Sequence, residues 1–302
     1  MSLDPLIAKI IATQNPTVMG LDPKLDYIPE QIKAPAYETY GKTLEGAAEA
    51  LLSFNKALID AVADIIPAVK PQAAFYEAFG WQGIRALAET ITYARDKGLY
   101  VIVDAKRGDI GSTMDAYVEG WLGEAEVEGA SFSPFNGDAM TVNGYLGTDT
   151  IEPLLRVCRE KDKGFFVLAK TSNPSSAELQ DILVGGKPVY ETMASYCIGW
   201  GESLPGKYGY SGVGAVVGAT YPAQLRGLRE MFPGLFFLVP GYGAQGGGGA
   251  DTAGAFDKDG LGAIVNASRS LMCAWQKAPG LSLAEATREE ALRMKEDIQQ
   301  AM

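Results

Sequence analysis

The chain has 302 residues, 47% of them hydrophobic, enough for one large domain. A net charge of −11 argues against nucleic acid as a partner and makes any anion site a local device of backbone amides and one or two cations. No histidine occurs, which excludes Ser-His-Asp and Cys-His nucleophiles, a histidine general base and histidine metal sites. Cys158, Cys197 and Cys273 are odd in number and widely spaced, a pattern of reduced cytoplasmic thiols and not of a disulfide framework or zinc site. The N-terminus has no basic and apolar leader pattern, and no stretch is apolar enough to cross a membrane.

Eight apolar runs read as strands: 16–20, 64–69, 99–103, 139–142, 164–169, 212–217, 235–239 and 262–265. Helical patterns lie between most of them, at 42–63, 81–97, 114–128, 148–160, 188–199, 222–231 and 252–257, with an amphipathic helix at 283–300 to finish. Buried strands alternating with helices predict a parallel sheet covered by helices, and eight repeats predict closure as a (β/α)8 TIM barrel, with an open doubly wound sheet as the fallback. Two segments exceed ordinary connections: 24–43 after the first strand and 172–211 after the fifth. Both are expected to be insertions in a single domain spanning 1–302.

The third strand carries the densest chemistry. Val101-Ile-Val-Asp-Ala-Lys-Arg-Gly-Asp109 opens as a buried strand and ends in four charges, Asp104, Lys106, Arg107 and Asp109. Side chains alternate along a strand, so Asp104 and Lys106 share the face of Ile102. Charges on that inward parity are costly unless paired or put to use. Polar residues recur after other strands: Asp22, Lys70 with Gln72, Asn143, Lys170 to Asn173, the run from Pro240 to Gly249, and Asn266 to Ser270. In a closed barrel all of these face one rim, where such enzymes hold their sites. The loops after strands seven and eight commonly bind phosphate, so the glycines of 243–249 are expected to converge their amides on an anion. Arg269 adds a planar cation suited to bidentate binding, and Gln245 could close over the ligand.

Five segments in this order resemble orotidine 5′-phosphate decarboxylase, in the longer (type 2) subgroup found in many bacteria. They are Gly20-Leu-Asp-Pro23, Val69-Lys-Pro-Gln-Ala-Ala-Phe-Tyr-Glu77, Asp104-Ala-Lys-Arg-Gly-Asp-Ile-Gly-Ser-Thr113, Pro240-Gly-Tyr-Gly-Ala-Gln-Gly-Gly247 and Asn266-Ala-Ser-Arg269. The resemblance implies a cytoplasmic homodimer of barrels that converts orotidine 5′-monophosphate to UMP and CO2 in pyrimidine synthesis, with no metal and no organic cofactor. It implies a charged array of Lys70, Asp104, Lys106 and Asp109 at the reacting carbon, with Lys106 as proton donor. Asp109 and Thr113 are expected from the partner subunit. Asp22 is expected at the ribose, Ser172 at the pyrimidine, and Gln245 and Arg269 at the phosphate, with Pro240 and Gly246 also binding substrate. The resemblance also implies that the phosphoribosyltransferase domain of bifunctional synthases is absent. The Asp-x-Lys-x-x-Asp spacing alone is shared with relatives that act on keto-sugar phosphates, so that reading stays open on spacing. A catalytically silent nucleotide-binding barrel is the third reading.

Overall fold

The computed structural model describes residues 3–243 and 246–302. Eight parallel strands close into a barrel: β1 (Thr17–Leu21), β2 (Ala68–Pro71), β3 (Tyr100–Arg107), β4 (Ala139–Val142), β5 (Gly164–Lys170), β6 (Val213–Val217), β7 (Phe236–Pro240) and β8 (Ala263–Ala267). Each strand pairs with its sequence neighbours, and β8 returns to β1 with Thr17 opposite Val265. Every run expected as a strand forms one, within a few residues at each end.

Alternation sorts the strand residues into two cores. Val101 and Val103 face outward into the main cluster under the helices, with Met19, Val69, Met140 and Val167. Val18, Ala68, Ile102, Ala139, Phe166, Phe236 and Ile264 face inward and fill the lower barrel. Leu3 and the helix Asp4–Thr13 seal that end, pushing Leu6, Ile7 and Ile10 into the same cluster.

Both long segments carry their own structure. The first holds the helix Glu30–Tyr40, which packs on Leu44–Val62. The second holds two short helices, a hairpin pairing Leu183–Val184 with Lys187–Pro188, and the helix Val189–Gly201.

Two expected helices differ. The one at 114–128 runs instead from Gly111 to Trp121, and Ala125–Val127 pairs antiparallel with Ala130–Phe132. Glu128 and Gly129 make that reversal with φ of 47° and 89°, the two positive values that a primed hairpin turn needs. The helix expected at 252–257 begins earlier, at Gly249, and tightens to a 3-10 turn at Ala253–Ala255. The three thiols are free and buried. Among the described residues, no helix is long and apolar enough to cross a membrane.

Candidate active site

The inward row that is apolar below becomes polar above. Two residues beyond Ala68, Ile102, Ala139 and Ile264 stand Lys70, Asp104, Thr141 and Asn266. All four line a cavity of about 430 Å³ at the carboxyl ends of the strands. Asp22, Lys106, Ser172, Pro240 and Arg269 also line it, as expected.

Asp104 is the centre of the array. Lys70 donates to its Oδ2 at 2.6 Å, Lys106 to its Oδ1 at 2.5 Å, and the Thr141 hydroxyl to Oδ1 at 2.8 Å. Burial alone would raise the Asp104 pKa, but the charges of Lys70 and Lys106 outweigh it and hold the carboxyl well below the usual carboxylate range. Burial likewise disfavours the Lys70 ammonium, and the charges of Asp104 and Asp22 overcome it, so the Lys70 pKa is raised. Lys70 is therefore a fixed buried cation, whereas the Lys106 side chain keeps 45% of its surface open to the cavity and solvent.

The backbone under Lys106 is unusual. Its φ is +50°, in the left-handed region that costs an L-residue roughly 1–2 kcal/mol. The register between β3 and β4 slips between Val103 and Arg107, so the last turn of β3 is a bulge that re-aims the lysine. Arg107, next along, is clamped by Glu77 and lies over the rings of Tyr117 and Trp121.

The opposite wall is built by close backbone approach. Gly218 faces Ser172, and a Cβ there would come within 3.1 Å of the Ser172 backbone nitrogen. Thr220 donates to the Ser172 carbonyl at 3.3 Å and Tyr221 to that of Asn173 at 3.2 Å, which pins the segment. Lys170 beneath it is fully buried, paired with Asp181 at 2.7 Å and 4.4 Å from the centre of the Tyr221 ring. Asp22 Oδ1 is buried without a hydrogen-bond partner among the described residues, an acceptor at the cavity wall with nothing yet to accept.

The glycine-rich loop departs from expectation. Gly243 donates to Gly247, Gly246 to Gly243 and Gly247 to Gly241, while Gly248 and Gly249 donate to the carboxylates of Asp251 and Asp297. These amides brace the loop and its junction with the terminal helix, so they do not converge on an anion. Gly246, at φ +94°, is not among the residues lining the cavity. Gln245 lies outside the described residues. Arg269, which opens the short helix Arg269–Met272 after β8, is the cation on this side.

Asp109 and Thr113 do not line the cavity of their own chain; Asp109 caps the Ile110 amide at 2.8 Å. Asn143 is exposed, and its side chain accepts from the Tyr145 amide. Thr141 and Tyr27 line the cavity without having been singled out by sequence. The signal for Thr141 was the same alternation that marked Asp104, two residues beyond an inward core position. Among the described residues, no group of three acidic or cysteine side chains is placed to hold a metal ion.

A closed parallel barrel with a Lys-Asp-Lys array at its carboxyl rim, Lys70 and Asp104 buried and Lys106 open to the cavity, defines a barrel enzyme with charge-based chemistry. Residues 45–278 match the orotidine 5′-phosphate decarboxylase / HUMPS family model, and the chain belongs to that family. It is 43% identical to the orotidine 5′-phosphate decarboxylase of Rhodopirellula baltica, over 97% of each chain. The structure of Leishmania donovani OMP decarboxylase superposes with a TM-score of 0.76 at 33% identity, covering 100% of this chain and 99% of that one. The Leishmania donovani UMP synthase structure matches at 35% identity and a TM-score of 0.77, with all of this chain spanning 56% of that one.

Proposed function

We propose how this site carries out its reaction, the decarboxylation of orotidine 5′-monophosphate to UMP and CO2 in pyrimidine biosynthesis. The chain is a carboxy-lyase of that family. The observation that carries the mechanism is Asp104, buried and ionised between Lys70 and Lys106 at the wall of a cavity with Arg269 on its rim.

The bond from C6 of the pyrimidine to the carboxylate breaks and its electron pair stays on C6. Lys106, the solvent-reached cation of the array, stabilises that charge and delivers a proton to C6. The neutral amine then regains a proton from water. Lys70 stays ionised and holds Asp104 in place beside the departing carboxylate. Charge fixed in advance is worth most in a water-poor site, because no reorganisation is needed as the carbanion forms. Arg269 takes the phosphate, whose binding energy helps assemble the site around the ring. The unpartnered Asp22 oxygen accepts from a ribose hydroxyl, and Ser172 meets the pyrimidine edge.

The array is completed in a cytoplasmic homodimer by Asp109 and Thr113 of the second subunit. Their placement off the cavity of their own chain supports this reading. Chains carrying Lys106→Ala and Asp109→Ala, each inactive alone, are expected to recover activity when unfolded and refolded together, because one site of the mixed dimer regains both groups. A mixture that forms hybrid dimers and stays inactive would place Asp109 in its own subunit's site.

A further inference from the structure

We propose that Thr141 is a positioning residue of the decarboxylase site, whose hydroxyl ties the left-handed backbone of Lys106 to the Asp104 carboxylate. The proposal rests on the reading that Asp104 and Lys106 flank the reacting carbon.

Three observations carry it. Thr141 is 1% exposed, stands on the inward row of β4, and lines the cavity. Its Oγ1 accepts from the Lys106 N–H at 3.0 Å and faces Asp104 Oδ1 at 2.8 Å. A hydroxyl has a single hydrogen, so with the amide hydrogen already pointing at the oxygen, its own goes to the carboxylate. The link is directional: backbone of Lys106, hydroxyl, Asp104, and back to the Lys106 ammonium at 2.5 Å.

The link also falls where the sheet cannot supply one. The parallel ladder between β3 and β4 is broken between Val103 and Arg107, and backbone pairing resumes only when the Asn143 amide donates to Arg107 at 2.8 Å. In the gap, the Thr141 side chain takes the amide that a regular strand partner would have taken. A left-handed lysine persists only where its surroundings over-determine it. Thr141 is one of those determinants, and the one that answers directly to the charge state of Asp104. Without the hydroxyl, the Lys106 amide is left unsatisfied and the bulge is free to relax, carrying the ammonium away from the carbon it must protonate.

The test compares Thr141→Val, Thr141→Ala and Thr141→Ser with Lys106→Ala, using turnover of orotidine 5′-monophosphate and binding of UMP. Misplacement of a reacting group by an ångström can cost about 100-fold, so both variants lacking the hydroxyl are expected to lose about 10–100-fold in kcat. UMP affinity should stay near wild type, which also certifies the fold, and Thr141→Ser should restore most of the rate. Wild-type turnover in Thr141→Val or Thr141→Ala, beside an inactive Lys106→Ala, would overturn the role of Thr141 alone. A serine variant as slow as valine, or UMP affinity falling in step with kcat, would reduce Thr141 to a packing residue. Near-wild-type turnover in Lys106→Ala would overturn the array reading and this proposal with it.

Discussion

The two ends of the barrel interior are built on the same strands and the same alternation, and they do opposite things. Below, Ala68, Ile102, Ala139 and Phe166 pack against the N-terminal helix through Leu6, Ile7 and Ile10. One inward step higher, Lys70, Asp104 and Thr141 form a charged network around a cavity. The lower layer stabilises by removing apolar surface from water. In the upper layer Lys70 and Asp104 are stable in the buried, ionised state because each partners the other, so neither can be removed alone without cost. The apolar seal lies at one end and the chemistry at the other, about two residues of strand apart.

The contrast can be broken most severely from above. Asp104→Asn removes the hydrogen-bonded counter-ion of the buried Lys70 cation and is expected to cost about 3–5 kcal/mol of stability at neutral pH, as well as activity. The folded-state pKa of Asp104 lies below its ordinary 3.8. Its ionised form therefore contributes fully above that value, and the contribution is lost as pH falls through it toward the folded-state pKa. Denaturant melts of wild type and variant should converge as pH drops below 3.8; a gap that persists unchanged at low pH would refute the assignment.

From below, Leu6→Ala opens a cavity in the sealed end and is expected to cost about 2–5 kcal/mol. The contrast requires that kcat and KM of the folded variant match wild type at low temperature. A fall in kcat without change in KM would couple the plug to the site. Smallest in effect, Arg269→Ala removes a charged hydrogen-bonding partner and is expected to weaken UMP binding by about 1.5–3 kcal/mol. Uridine binding should be nearly unaffected, and equal losses for both ligands by calorimetry would contradict a phosphate role.

Much of this was legible in sequence because it rests on alternation. Ile102, Asp104 and Lys106 are one inward row on paper and all reach the barrel interior, and Lys70 and Pro240, read as residues that follow their strands, line the same cavity. What escaped depends on partners that the strand and helix periods do not name. The amides of Gly248 and Gly249 looked available, yet Asp251 and Asp297 take them, the latter 48 residues on from Gly249. The hairpin at Glu128-Gly129 hid in a stretch whose Glu and Ala content favours a helix, where Gly123 and the turn residues decided otherwise. Asn143 was noticed as the polar residue after β4, but Thr141 holds the inward position and the bonds. The helix Asp4–Thr13 opens on Asp-Pro and carries Leu6, Ile7 and Ile10 on one face, but its role as a plug is set by the open barrel end it covers.

In this mechanism the upper layer, through Lys106, performs the decarboxylation. The most direct test follows the ultraviolet change of orotidine 5′-monophosphate with wild type and Lys106→Ala, in excess EDTA, with UMP binding measured in parallel. Rapid conversion by wild type is expected, with loss of at least about 10⁴-fold in the variant while UMP still binds. Near-wild-type turnover in a variant lacking the Lys106 amine would contradict the account.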